Sequence, residues 1–274
     1  MRERLSDVER TVVVMSGKGG VGKSAVAVNL ALGLAREGAR VGVLDADLNG
    51  PSVAKMLGLR GQPLRAGPNG LLPVPGPLGL GVQSMDFFLQ GTQPLDWDGP
   101  SGEGAALRSA LEEAALGDLL GQTEWGVLDF LVVDLAPGAD RLPAFARLHP
   151  DVEGALAVTI PTEVSLLAVE RSLRRAREAR IPLVGLVENM GSSVCGACGA
   201  EGPLFREADV QRVARDLEVE IVARIPFDPK LAASADAGQS FLEAGGAGTA
   251  AGRALEALAA RVRSFRRERE GNPW

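Results

Sequence analysis

Short apolar runs, several rich in β-branched residues, recur along the chain at Thr11–Met15, Arg40–Leu44, Phe130–Asp134, Ala155–Ile160, Leu183–Val187 and Glu220–Ile225. Between them lie stretches in which apolar residues return every three or four positions: Lys23–Glu37, Gly104–Leu116, Val164–Ala179, Ala208–Leu217 and Ala250–Arg269. Continuous apolar runs mark strands buried on both faces, and the longer period marks amphipathic helices. Their alternation predicts an α/β fold, a mostly parallel β-sheet flanked by helices on both faces. Ligands of such sheets bind at the C-terminal ends of the strands. Arg60–Gly81, rich in Gly, Pro and Leu, reads as an irregular excursion with room for a small hairpin. No repeat or linker interrupts the pattern, so residues 1–274 read as a single domain.

The first strand–helix junction carries the chemistry. Gly17-Lys18-Gly19-Gly20-Val21-Gly22-Lys23-Ser24 fits the phosphate-cradling P-loop pattern G-x-x-x-x-G-K-[ST]. Its glycines let backbone N–H groups approach phosphate oxygens closely. The dipole of the following helix, which runs on through Ala25, favours the same anion. Lys23 would reach the β- and γ-phosphates, and the Ser24 hydroxyl would ligate Mg²⁺. The chain has only four lysines, and two of them, Lys18 and Lys23, sit in this loop. A lysine after the first glycine looks like the deviant P-loop of the MinD/ParA/Mrp class of ATPases. That resemblance implies a nucleotide-sandwich dimer in which Lys18 touches the partner's phosphates and offsets transition-state charge.

Two later strands end in carboxylates. Asp45-Ala46-Asp47 closes the second strand, and Phe130-Leu131-Val132-Val133-Asp134 has the form of a Walker B strand, whose Asp holds Mg²⁺. Two such sites, in order after a P-loop, point to metal-assisted nucleotide chemistry more strongly than either alone.

A net charge of −6 argues against a general nucleic-acid binder. A charged N-terminus and the lack of any long apolar run argue against a signal peptide or membrane span, so the expected location is the cytoplasm. The chain has no tyrosine, which excludes a P-loop kinase that modifies its own tyrosine tail. His149, the only histidine, precedes Pro150 and is assigned no role. Leu255, Leu258, Val262 and Phe265 form an apolar stripe on the last helix among arginines; docking onto the domain is preferred over a membrane-surface helix.

Taken together, Ser16–Ser24, Leu44–Ser52, Leu131–Gly138, Val187–Cys198 and Ile225–Gly238 resemble, in order, the blocks of the Mrp/ApbC family of P-loop ATPases, known as iron–sulfur cluster carriers. The resemblance spans nearly the whole chain. It implies that Asp47 orients the attacking water and helps hold Mg²⁺, that Asp134 is the Walker B residue, and that Asn189 with Pro226 and Asp228 frames adenine. The choice of ATP comes from the family alone. Departures stand out: Ala25 replaces the usual Thr, the block after the Walker B strand is shortened to Asp134-Leu135-Ala136-Pro137-Gly138-Ala139-Asp140, and Trp97-Asp98-Gly99-Pro100 replaces Trp-Arg-Gly-Pro. They leave nucleotide binding expected but the hydrolysis rate open.

Both cysteines of the chain lie in Cys195-Gly196-Ala197-Cys198. Such a pair supplies half of a four-thiolate site, which a two-fold homodimer would complete. The stoichiometry fits a [4Fe–4S] cluster or Zn²⁺. The family places its cluster ligands here, which implies transfer of a [4Fe–4S] cluster to apo iron–sulfur client proteins. The alternative is a MinD/ParA-like positioning switch that binds partners or membrane, with the cysteines incidental or zinc-binding.

Overall fold

The computed structural model describes residues 5–89, 105–194, 198–205 and 208–267, with the backbone alone for 105–108. In chain order the strands are β1 (Thr11–Ser16), β2 (Val41–Ala46), β3 (Arg65–Ala66), β4 (Leu71–Leu72), β5 (Val74–Pro75), β6 (Gly81–Ser84), β7 (Phe130–Leu135), β8 (Val152–Thr159), β9 (Leu183–Val194), β10 (Glu201–Pro203) and β11 (Ile221–Phe227). The helices are α1 (Lys23–Arg36), α2 (Val53–Met56), α3 (Ala105–Gln122), α4 (Arg141–Leu148), α5 (Glu163–Glu178), α6 (Val210–Asp216), α7 (Pro229–Ala237) and α8 (Ala250–Ser264).

Seven strands run parallel in the order β6-β2-β7-β1-β8-β9-β11, with β5 antiparallel on one edge and β10 antiparallel to the far end of β9. The α1 connection from β1 passes β7 to reach β2, whereas the α4 connection from β7 passes β1 to reach β8. The chain therefore reverses direction around β1, the kind of switch point at which α/β sheets open a crevice. β1 is buried along its whole length, as its uninterrupted apolar run requires.

Alternate residues of β1 feed two cores. Val12 and Val14 pack with α1 and α8, while Val13 and Met15 pack with α4 and α5. The α8 stripe is inside: Leu255, Leu258 and Val262 are buried against the α1 side of the sheet. Its arginines are tied to acids, Arg261 to Glu220 at 2.6 Å and Arg263 to Glu37 at 3.0 Å. α8 ends at Ser264, and Phe265 turns to extended backbone, so the helix is shorter than its sequence pattern predicts. No described helix is long and apolar enough to cross a membrane.

The Arg60–Gly81 excursion does contain a hairpin, β3 with β4. Beyond it lies β6, which the apolar pattern misses because its inward residues Gln83 and Ser84 are polar; Gln83 is satisfied by Thr123 at 3.0 Å. α4 also escapes the pattern. It has eight residues and Pro143 in its first turn, too short a stretch for the period to show.

Candidate functional site

The P-loop bridges the end of β1 and the start of α1. Gly22 occupies the N-cap position of α1 with φ 82°, a left-handed conformation that glycine adopts without strain. No side chain caps the helix and no acid lies in its first turn, so its amides remain available to an anion. Gly17 is dictated by close approach: a Cβ there would stand 2.2 Å from the backbone carbonyl carbon of Ala168 in α5. Gly19 and Gly20 are exposed at the tip, Val21 is buried beneath, and Ser24 and Ala25 are half-buried in the first turn. Lys18 is half-buried, and its carbonyl accepts from the Ser16 hydroxyl at 3.0 Å.

Parallel register sets Asp45 of β2 directly beside Asp134 of β7, with Val14 of β1 on the other side. Both carboxylates are fully buried. Lys23 reaches across from α1 and donates to Asp134 Oδ1 at 2.5 Å and to Ser24 Oγ at 3.3 Å. Burial pushes the Asp134 carboxyl above its ordinary range; the Lys23 charge and hydrogen bonds from Lys23 and Ser24 pull back, and the Asp47 charge adds to the rise. Desolvation outweighs the ion pair because two carboxylates share one ammonium. Asp45 is pushed up to about 7, first by burial and then by the Asp134 charge, against the amides of Val53 and Ser52 and the Lys23 charge.

Asp45 is the residue whose role the sequence did not reveal. Its Oδ2 accepts from Ser52 N (2.9 Å), Val53 N (3.0 Å) and Ser84 Oγ (3.1 Å), and its Oδ1 from Asp47 N (3.3 Å). It thereby organises the loop that carries Asp47. Of the pair in Asp-Ala-Asp, Asp45 faces inward from the strand and Asp47, half-buried, lies just past its end, where it accepts from Gly50 N at 3.2 Å. A polar Ser84 on the neighbouring strand was the available signal.

The residues present fit a magnesium–nucleotide complex. Asp134 Oδ2 is buried without a hydrogen-bond partner, an orphaned acceptor beside the Ser24 hydroxyl. Mg²⁺ takes one or two carboxylates and completes its shell with phosphates and water. Among the described residues, no three His, Cys, Asp or Glu side chains group as a metal site on their own.

Asn189 lies on β9, and its Nδ2 donates to the Val21 carbonyl of the P-loop at 2.8 Å. A Cβ on Gly22 would fall 2.2 Å from that nitrogen. Asn189 thus braces the phosphate loop. Ile225 pairs with Asn189 across β9–β11, which puts Pro226 nearby, and Asp228 caps α7 by accepting from Lys230 N at 2.9 Å. Five residues beyond Asn189, β9 ends at Val194. Cys198 is exposed on the connection from β9 to β10; Cys195 lies outside the described residues, as do Trp97–Pro100. His149 is buried and bonded to Thr11 Oγ1 at 2.9 Å, far from these groups in the sheet, at the N-terminal end of β1.

Comparison with known proteins agrees with this geometry. Residues 7–263 match the model of the ParA family described as NUBPL iron-transfer P-loop NTPase. An iron–sulfur cluster carrier protein of Saccharolobus solfataricus is 40% identical over 240 residues, covering 87% of this chain and 78% of the relative. A nucleotide-binding protein from Archaeoglobus fulgidus, solved in complex with ADP, superposes with a TM-score of 0.74 at 33% identity, covering 87% and 90% of the two chains. The cell division ATPase MinD of Pyrococcus furiosus shares the fold, with a TM-score of 0.63 at 19% identity over 93% of this chain and 99% of its own. With P-loop, Walker B strand and fold all in agreement, the chain belongs to the ParA family of NUBPL-type iron-transfer P-loop NTPases.

Proposed function

We propose that this protein is an ATP-binding and ATP-hydrolysing iron–sulfur cluster carrier that works as a homodimer in the cytoplasm. Its cargo is a [4Fe–4S] cluster held by Cys195 and Cys198 from each of two copies and passed to apo client proteins. The observation that carries this reading is the course of β9. The strand bears Asn189 on the P-loop carbonyl and ends directly before Cys195. The strand is irregular at Met190, where φ is 56° and the register against β11 shifts, yet it is one continuous segment that bears both the P-loop contact and the residues leading to Cys195.

In the mechanism that follows, Lys23 and the α1 amides bind the triphosphate, with Lys18 adding a second cation from the partner copy. Ser24, Asp134 and Asp47 hold Mg²⁺, which supplies charge neutralisation on the phosphates. Asp47 orients the attacking water. Asn189, Pro226 and Asp228 frame the base. Binding that draws Lys23 from Asp134 towards phosphate shifts the loop on which Asn189 rests, and β9 carries that shift to the cysteines.

Anaerobic reconstitution tests the cargo. A brown protein with about four iron and four sulfide per dimer, lost in a Cys195→Ser, Cys198→Ser variant, is the expected result. Colourless protein with stoichiometric zinc would overturn it. A membrane-binding switch finds less support, because the apolar stripe it needs on α8 is buried.

A further inference from the structure

We propose that Glu112 is a positioning residue, a latch that fastens the Asp47 loop and the loop after β7 to each other through α3. The consequence for catalysis rests on the ATP hydrolysis proposed above; the latch itself does not.

Glu112 is 8% exposed, unusual for a glutamate on an outer helix. Its two carboxylate oxygens serve different loops. Oε1 accepts from Asn49 Nδ2 at 2.9 Å, and Oε2 accepts from Arg141 Nη1 at 2.9 Å. Asn49 stands two positions after Asp47, and Arg141 opens α4 seven positions after Asp134. The loop that carries Asp47 is therefore clamped twice. Asp45 holds its far end through Ser52 N and Val53 N, and Glu112 holds its near end through Asn49. Asp47, two positions before the Asn49 clamp, closes a turn by accepting from Gly50 N. The other loop is pinned again from α5, where Arg175 Nε donates to Asp140 Oδ1 at 3.0 Å.

Stability alone does not account for this arrangement. A buried carboxylate facing an arginine that is 44% exposed contributes little net free energy. Such a pair does fix geometry, because an ionised acceptor with two separate donors tolerates one arrangement. The neighbouring Glu113 shows the contrast: its partner Arg147 lies 3.4 Å away and both are solvated, so that pair joins α3 to α4 without touching either loop. Glu112 thus joins the loop that carries Asp47 to the segment that follows Asp134. Any relative movement of those segments is transmitted to α3, which is 18 residues long.

The test uses the full chain with Glu112→Ala, Glu112→Gln and Arg141→Gln. Amide hydrogen exchange over residues 47–53 and 138–142 reads the latch, MgATP calorimetry reads binding, and steady-state hydrolysis reads kcat and KM separately. Glu112→Ala is expected to speed exchange in both loops about tenfold or more and to lower kcat about 10- to 100-fold, as for a group displaced by a fraction of an ångström to one ångström. MgATP affinity should stay within about threefold, since the lost interaction acts on the transition state. Glu112→Gln keeps an acceptor for Asn49, so it should spare residues 47–53, loosen 138–142 and lower kcat less. Combining Glu112→Ala with Arg141→Gln should be no worse than Glu112→Ala alone, because both remove one interaction. Unchanged exchange in both loops overturns the proposal. So does a fall in kcat matched by equal losses of affinity and melting temperature. If the unmodified protein hydrolyses no MgATP, the proposed activity is refuted, while the exchange measurement still decides the latch.

Discussion

Removing the Lys23 ammonium without its carbon stem, as in Lys23→Met, leaves Asp134 fully buried beside Asp45 without the one cation paired with it among the described residues. Breaking a buried pair from one side costs about 3–5 kcal/mol in the nucleotide-free protein. For a chain of this size the melting temperature should drop on the order of 10 °C. The Lys23 charge and hydrogen bond oppose the effect of burial on Asp134, so without them its carboxyl rises further above its ordinary range. The folded variant then binds a proton that its unfolded chain releases, so the loss shrinks as pH falls from 7 to 5. Lys23→Met with Asp134→Asn removes both charges and should return to within about 1 kcal/mol of the original. Thermal and urea melts at pH 7 and pH 5 decide the matter. A loss equal at both pH values and not recovered by Asp134→Asn would show that Lys23 contributes packing, not charge, and the electrostatic account of the site would fail.

Gly22→Ala places a methyl 2.2 Å from Asn189 Nδ2 at a φ of 82°. It should destabilise the protein by about 1–3 kcal/mol and weaken MgATP binding at least tenfold by calorimetry; unchanged affinity would refute the bracing role of Asn189. Burial holds the His149 imidazole below its ordinary 6.5, with the Asp151 charge opposing. Its contribution is therefore present above pH 6.5 and lost as pH falls below that value, where the unfolded chain takes up a proton and the fold resists it. Compared with the parent, His149→Gln should raise the melting temperature at pH 5.5 relative to pH 7.5; Asp45, which titrates with the opposite sign, is common to both proteins and cancels in that comparison. Leu258→Ala empties a fully buried position between α8 and α1 and should cost about 2–5 kcal/mol in urea denaturation. A cost under 0.5 kcal/mol would mean that α8 is not docked in solution.

Much of the fold was legible because the parallel strands are buried on both faces and so announce themselves as apolar runs. Thr11–Met15 and Phe130–Asp134 each proved to lie within one residue of a strand. What stayed hidden was whatever tertiary partners stabilise against local preference. β6 takes its place by hydrogen-bonding Gln83 and Ser84 internally, and α2 exists because Asp45 caps it from another strand. Lys23 and Ser24 stood out because the P-loop pattern fixes their spacing, and Asp134 because it closes an apolar strand; the structure brings the three together. The fixtures around them, Asp45 and Glu112, were not, since a carboxylate that holds a loop in place carries no signature of its own. Asn189 was read as a neighbour of adenine. Its contact with Val21 could not be foreseen, because the two lie 168 positions apart.

The seat of Gly17 against Ala168 joins main chain to main chain, with no side chain between them to absorb a misfit. A designer who wished to graft this protein's phosphate-gripping segment into another scaffold would have to bring the fifth helix along. Conversely, a protein or small molecule that grasped that helix at its solvent-facing tip, where Val164 and Leu167 stand exposed, would have a mechanical hold on the P-loop without ever entering it.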